Sequence, residues 1–129
     1  MDIRHIQPHE LRGQWAWVKV GLERVRDKGH SEWIVEDIYC DLYENRSLLW
    51  IATEGDVNTG FMVLQPSGTT MHVWAAYMES GCLEQGFEHI KNIAKLGNCN
   101  RLTFSSNRVG WAKRAKRMGF VQKVWELTI

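Results

Sequence analysis

The spacing of apolar residues changes near residue 47, and this change most constrains the fold. Before it, apolar residues recur every three or four positions in two runs separated by Gly29: Leu11, Trp15, Val18, Leu22 and Val25, then Ile34, Ile38 and Leu42. That spacing is typical of amphipathic helices. After it, short apolar runs bounded by turn residues are typical of strands. The sequence therefore predicts two helices followed by a sheet-forming region.

The second part of the chain alternates strands with helices. We predict strands at 48–52, 60–64, 70–77, 101–105 and 121–129, with helices at 83–96 and about 110–118. A strand–helix–strand connection makes the two strands parallel and places the helix on a sheet face. We therefore expect one α/β (α+β) domain over residues 1–129, with a mixed sheet of about five or six strands and helices on both faces. Strands 70–77 and 101–106 should be parallel neighbours.

The same periodicities predict the core. We expect thirteen residues to be largely buried: Leu11, Trp15, Leu22, Ile38, Leu42, Trp50, Ile51, Phe61, Val63, Phe87, Ile90, Leu102 and Phe104. Trp17 lies two positions from Trp15, and helical residues two apart face different directions. We therefore expect Trp17 at the surface or under a partner.

Composition excludes several classes of protein. The formal net charge is +1, so no global charge attracts nucleic acid or a membrane. The three cysteines are odd in number and contain no CxxC pair, which argues against a disulfide framework or a zinc site. No signal-peptide core and no membrane-length apolar stretch is present. The sequence thus predicts a soluble cytoplasmic protein without a metal.

The last third of the sequence carries a family resemblance. A strand at Leu102–Ser105 precedes a short basic helix, and Ala115–Phe120 then leads through Gly119-Phe120 into the last predicted strand. This order resembles the GNAT superfamily of N-acetyltransferases, and the resemblance covers almost the whole chain. The strings Leu102–Ser106 and Gly110–Ala112 are similar to small GNAT-like proteins of phage genomes.

The resemblance implies acetyl transfer from acetyl-CoA to an amine of a small molecule or a protein. It places the pantetheine arm along the strand that contains Val73, Trp74, Ala75, Ala76 and Tyr77. It places the pyrophosphate at the turn that contains Ser80, Gly81, Cys82 and Leu83, where a helix begins and its dipole favours negative charge. Lys113 and Arg114 are then expected near the phosphates of the cofactor.

Two candidate catalytic residues lie on the same predicted strand. His72 is the candidate base that deprotonates the amine, and its alternative is a hydrogen-bonded sheet histidine. By strand alternation, His72 should share a face with Trp74 and Ala76. The family's tyrosine, which protonates the departing thiolate, falls at Ala115 here, so Tyr77 is the substitute candidate.

The phosphate turn departs from the family pattern. Residues 78–84 contain one glycine, no basic residue and acids on both sides. This leaves open a second class, a non-enzymatic GNAT-fold phage protein that binds a protein partner in a virion, in assembly or in the host, or that forms a homo-oligomer. The basic segment 108–117 has three interpretations: a contact for cofactor phosphates, a solvated helix face, and, least favoured, a nucleic-acid contact.

Overall fold

A computed structural model describes residues 1–79, 81–108 and 110–129. Its elements, in chain order, are β1 (Asp2–Ile6), a 3-10 turn (Pro8–Glu10), α1 (Leu11–Gly29), α2 (Val35–Tyr43), β2 (Leu48–Glu54), β3 (Val57–Ser67), β4 (Thr70–Met78), α3 (Leu83–Leu96), β5 (Arg101–Phe104) and α4 (Trp111–Arg117). Most of these elements were predicted from the spacing of apolar residues.

The described strands form one mixed sheet in the order β1-β2-β3-β4-β5. The first four are antiparallel to their neighbours, whereas β4 and β5 are parallel and are connected through α3. Helices cover both faces: α1 and α2 pack on one face, and α3 and α4 on the other. The predicted mixed sheet and the parallel pair are confirmed.

One face of the sheet carries the α1/α2 core. Its buried residues are Ile6, Leu11, Val18, Leu22, Val35, Ile38, Leu42, Leu49, Ile51, Phe61, Val63 and Ala75. Gly21 lets α1 approach β3 closely, because a Cβ atom there would collide with the ring of Phe61. The prediction for Trp17 was wrong. Its ring packs edge-on against Phe61 with centroids 5.9 Å apart, because Trp17 lies one turn before Gly21, where α1 approaches this ring. Trp15 also packs on this core.

The other face carries the α3/α4 core, which contains Met62, Leu64, Met71, Val73, Phe87, Ile90, Ile93, Ala94 and Cys99. Beside it lies a group of four rings that we call the aromatic cluster: Phe87, Phe104, Trp111 and Phe120. Four residues predicted as buried are only half-buried: Trp15, Trp50, Leu102 and Phe104. Leu102 and Phe104 stand on the last strand of the described sheet, where neighbours cover them from one side only.

Two element predictions were wrong at the ends of the sheet. Strand β1 was missed because Asp2–Ile6 alternates polar and apolar residues only briefly and buries only Ile6. The predicted strand at 121–129 does not form, and these residues are exposed and belong to no helix or strand. Alternation supplies a strand-forming pattern, but a strand also needs a partner for its main chain.

Candidate functional site

The parallel pair β4 and β5 separates part-way along its length. The strands pair from Thr70 with Arg101 to Val73 with Phe104, and β5 then ends. Strand β4 continues to Met78 and, over this stretch, pairs only with β3 among the described residues. The edge of β4 from Trp74 to Met78 is therefore open beside the loop that follows β5, and main-chain groups on an open edge can pair with an extended ligand.

A β-bulge lies where the strands separate. Val63 pairs with Ala75 and Leu64 pairs with Val73, so Trp74 is the extra residue on β4. A bulge shifts the side-chain alternation by one residue. Trp74 therefore packs on the α1/α2 core, whereas Ala76 packs on the α3/α4 core. The expectation that Ala76 shares a face with His72 was wrong, because simple alternation cannot show a bulge.

His72 lies just before the bulge and is hydrogen-bonded to β5. Its Nδ1 atom is 2.8 Å from Oγ1 of Thr103, the residue that pairs with it across the parallel ladder. Burial lowers the pKa of the imidazole below its ordinary value, because desolvation disfavours the charged ring. A neutral imidazole with one nitrogen held by a hydroxyl can accept a proton at the other nitrogen. The geometry fits both interpretations of His72, as a base and as a hydrogen-bonded sheet residue.

Tyr77 follows the bulge and packs on the α1/α2 core. Its ring stacks on Phe61 and meets Trp17 edge-on, with centroids 5.9 Å and 6.4 Å away respectively. Its hydroxyl lies 3.5 Å from Nη1 of Arg24, which donates to it from α1. His72 and Tyr77 therefore stand on the same strand, on opposite sides of the bulge. Sequence patterns gave no signal for Arg24 or Thr103, because both are contacts between elements distant in the chain.

The turn before α3 presents a helix N-terminus. Gly81 adopts a positive φ of 86°, and Cys82 is the N-cap residue of α3. No side chain of the described residues caps this helix, so N–H groups of its first turn are directed outward without a capping side chain. Ser80 of the predicted phosphate turn lies outside the described residues. Glu84 stands in the first turn, where its charge opposes an anionic ligand.

The cations of α4 are exposed. Arg114 lies over the ring of Trp111, 5.8 Å from its centroid, and Lys113 is exposed beside it. At the end of the helix, Arg117 lines a groove of about 340 Å³ together with Glu84. Trp111 packs α4 against the sheet: its ring contacts the ring of Phe104 on β5, with 5.2 Å between the ring centroids. Within the basic segment 108–117, Arg117 thus shares a groove with the first turn of α3, whereas Lys113 and Arg114, the two residues expected near the cofactor phosphates, do not line it.

Two side chains that could close the open edge of β4 are directed elsewhere. Trp74 packs on the α1/α2 core. Met78 lies against Gly60 and Gly86: a Cβ atom added at Gly60 would collide with its Sδ atom, and one added at Gly86 would lie 3.0 Å from its Cε atom. Both side chains therefore leave the sheet through its faces, and neither lies along the edge next to β5.

Metal ligands do not cluster in the described residues. No group of three or more histidine, cysteine, aspartate or glutamate side chains in the ranges 1–79, 81–108 and 110–129 could hold a metal ion. Among the same residues, no helix has the length and apolar character needed to cross a membrane.

No protein-family model and no curated protein matches the sequence, but solved structures match its fold. A probable acetyltransferase matches with a TM-score of 0.73 and 17% identity, over 100% of this chain and 99% of that chain. Aminoglycoside N-acetyltransferase AAC(6')-Iy in complex with CoA matches with a TM-score of 0.71 and 13% identity, over 99% of this chain and 92% of that one.

A further match is the ribosomal-protein-alanine N-acetyltransferase from Brucella melitensis biovar Abortus 2308. It has a TM-score of 0.70 and 11% identity, over 100% of this chain and 99% of that chain. At such low identity, these matches show that the chain shares the fold of acetyltransferases. They give no support to the narrower resemblance to phage proteins.

Proposed function

We propose that the chain is a GNAT N-acetyltransferase, which binds acetyl-CoA and transfers its acetyl group to an amine. The observation that carries the proposal is the separation of β4 from β5 at the bulge of Trp74. The resemblance places the pantetheine arm along the open strand edge that follows, at Val73–Tyr77. The fold match to an aminoglycoside N-acetyltransferase in complex with CoA supports this use of the fold.

In this proposal the pyrophosphate lies at the start of α3. The N–H groups of the first turn and the positive end of the helix dipole attract an anion. Gly81 leaves the main chain accessible, since a Cβ atom there would meet nothing within 4 Å. The exposed cations of α4, Lys113 and Arg114, then supply the positive charge that the turn itself lacks.

The proposed chemistry is direct attack of the amine on the thioester. His72 takes a proton from the ammonium group of the acceptor, and the free amine forms a bond to the acetyl carbon. The bond between that carbon and the CoA sulfur breaks, and the thiolate takes a proton from Tyr77. The amide nitrogen releases its remaining extra proton to solvent, and the Tyr77 phenolate regains a proton from solvent. The lowered pKa of His72 supports the first step, because the imidazole is neutral at physiological pH.

Binding of acetyl-CoA is the first test. Calorimetry should give a dissociation constant in the micromolar range, about −8 kcal/mol. The double variant Lys113→Gln/Arg114→Gln should weaken binding about tenfold, because charge-assisted contacts to phosphate contribute on the order of 1 kcal/mol or more each. The matched control is Arg12→Gln/Lys28→Gln, which removes the same charge from exposed positions on α1. An equal loss in the control would contradict a phosphate site on α4.

Transfer is the second test, measured as release of CoA thiol with an aminoglycoside and with an alanine-terminated peptide as trial acceptors. His72→Gln should slow transfer by about 10²–10⁴-fold, the usual contribution of a general base. His89→Gln, on α3 at the opposite face of the sheet, is the control and should keep the wild-type rate. Similar transfer rates for His72→Gln and His89→Gln would show that His72 is not the general base.

The second candidate function is protein binding without catalysis. Acids on either side of the turn favour it, since Glu79 precedes and Glu84 follows Gly81 and both are exposed. The absence of a tyrosine at Ala115 points the same way. No heat and no thermal shift at about millimolar acetyl-CoA would support this candidate and overturn the enzyme proposal.

A further inference from the structure

His72 and Thr103 face each other on two parallel strands, next to the point where the strands separate. They are register partners in the ladder of β4 and β5, and the ladder ends one residue later, at Val73 and Phe104. Met71 and Val73 pack on the α3/α4 core, so His72 between them lies on the α1/α2 side of the sheet. The imidazole is therefore carried by paired main chain directly beside the open edge of β4.

The two ring nitrogens of His72 have different surroundings. Nδ1 lies 2.8 Å from Oγ1 of Thr103. Among the described residues, Nε2 makes no hydrogen bond, and it is not one of the buried polar atoms that lack a partner, so it is open to solvent. Nε2 is thus the nitrogen that remains available to a substrate, whereas Nδ1 is occupied by the threonine.

The hydroxyl of Thr103 can serve Nδ1 in either direction, because it has one proton to donate and two lone pairs that accept. If the hydroxyl donates, Nδ1 has no proton, and Nε2 carries the N–H of the neutral ring and cannot accept another proton. If Nδ1–H donates to the hydroxyl oxygen, the lone pair of the ring lies on Nε2. The direction of this one hydrogen bond therefore decides whether the free nitrogen of His72 can act as a base.

Protonation of the ring favours donation from Nδ1–H. An imidazolium carries a proton on both nitrogens, so Nδ1 must donate once Nε2 has taken a proton. A hydroxyl that already accepts from Nδ1–H keeps its orientation when the charge appears, and the bond becomes charge-assisted. A hydroxyl that donates has to turn away first. Burial lowers the pKa of His72 because the charged ring is poorly solvated, so an acceptor that is already in place stabilises the charge where water does not.

We propose that Thr103 is a positioning residue for His72: its hydroxyl oxygen accepts from Nδ1–H and so leaves the lone pair of the neutral ring on Nε2. Threonine suits this role because its branched Cβ atom restricts χ1. Thr103 is exposed, so its own proton can be donated to water. The catalytic consequence rests on the proposed function: Nε2 takes a proton from the ammonium group of the acceptor, and the imidazolium later releases a proton to solvent.

Nitrogen chemical shifts of protein labelled at histidine test the tautomer without any substrate. The signals that disappear in His72→Gln are those of His72. At about pH 8, where an imidazole of lowered pKa is neutral, these signals should show a protonated Nδ1 and an unprotonated Nε2 in the wild type. Thr103→Val keeps the shape of the side chain but removes the hydroxyl, so it should give a mixture of the two tautomers. Thr103→Ser should restore the wild-type shifts.

The matched control is Thr70→Val, which removes a hydroxyl from the same strand as His72. Thr70 pairs with Arg101 across the ladder and not with His72, so this variant should leave the His72 shifts unchanged. Unchanged signals from the other histidines should show that each variant is folded.

Transfer kinetics test the consequence for catalysis. Thr103→Val should lower kcat about tenfold or more, because the hydrogen bond to the charged ring is lost, and should leave KM for acetyl-CoA unchanged. Thr103→Ser should recover most of kcat, and Thr70→Val should keep the wild-type value.

Two results would overturn the proposal. The first is a wild-type protein in which His72 carries its proton on Nε2. The second is a Thr103→Val variant whose tautomer or kcat equals that of the wild type. A protein that transfers no acetyl group, wild type included, would overturn the proposed function instead, and the nitrogen shifts would still decide whether Thr103 sets the tautomer of His72.

Discussion

The α1/α2 core and the aromatic cluster each contain a phenylalanine on a strand but differ in how completely that ring is enclosed. Phe61 in the α1/α2 core stands on β3, with strands on both sides and α1 above, and is fully buried. Phe104 in the aromatic cluster stands on the four-residue β5, has one neighbouring strand in the described sheet, and is half-buried. The difference shows that position within the sheet, more than residue type, sets how much an aromatic side chain contributes to stability.

The largest loss of stability is expected on substitution of Phe61. Phe61→Ala should lower the free energy of unfolding by about 3–5 kcal/mol, because it removes a buried ring and leaves a cavity between Trp17 and Tyr77. Urea denaturation measures the loss. A loss near 1 kcal/mol would show that α1 collapses into the space and that the two regions are less different than their burial indicates.

A smaller effect is expected at Phe104. Phe104→Ala should cost about 2 kcal/mol, since folding removes only part of the apolar surface of a half-buried ring from water. The variant should be compared with Phe61→Ala under the same conditions, with equal slopes against urea as the control for a two-state transition. Equal losses of unfolding free energy in the two variants would contradict the conclusion that position within the sheet sets the contribution of the ring.

Alanine substitutions at two glycines, one in α1 and one in α3, test whether the two faces of the sheet are packed with different tightness. Gly21→Ala should cost about 1–3 kcal/mol, because the new methyl group meets the packed ring of Phe61. At Gly86 the new methyl group meets the flexible end of Met78, with its Cε atom 3.0 Å away, and alanine favours the helix by about 1 kcal/mol. Gly86→Ala should therefore be nearly neutral. Thermal unfolding of both variants tests the pair, and a larger loss at Gly86 would contradict it.

The smallest effect is a dependence of stability on pH through His72. Its pKa is lowered by burial, so below about pH 6.5 the unfolded chain binds a proton more readily than the folded one. The stability that depends on a neutral His72 is therefore present in full above about pH 6.5. It is lost as the pH falls toward the pKa that His72 has in the folded protein. Urea unfolding at about pH 7.5 and about pH 5.5 should show a smaller loss in His72→Gln than in the wild type. His5, whose pKa is also lowered by burial, keeps its own contribution in both proteins.

The sequence predicted the parts of the fold that depend on local periodicity. The stripe Ile38–Leu42, the buried strand around Phe61 and the parallel pair joined by α3 follow from the spacing of apolar residues. The packing of Trp17 could not be predicted, because it depends on where α1 approaches Phe61 on β3, which lies far from it in the chain.

The candidate site was predicted less completely than the fold. His72 and Tyr77 were named from their strand, but their partners Thr103 and Arg24 lie 31 and 53 positions away in the chain. Such contacts leave no local pattern. The roles of the predicted cofactor residues stay predictions, and binding of acetyl-CoA is their test.

The bulge at Trp74 has a consequence for how substitutions in β4 would be tolerated. Met71 and Val73 face α3, but after the extra residue Ala76 and Met78 do so. In a library of every substitution along this strand, the preference for apolar residues beneath α3 should therefore change from odd to even positions at residue 74. Deletion of Trp74 would restore a single phase, because Ala75 would then follow Val73 in regular alternation, and it would leave Tyr77 on the α1/α2 side beside Arg24. The extra residue is thus absorbed at one point of the strand, and the side chains beyond it keep the faces that a regular strand without Trp74 would give them.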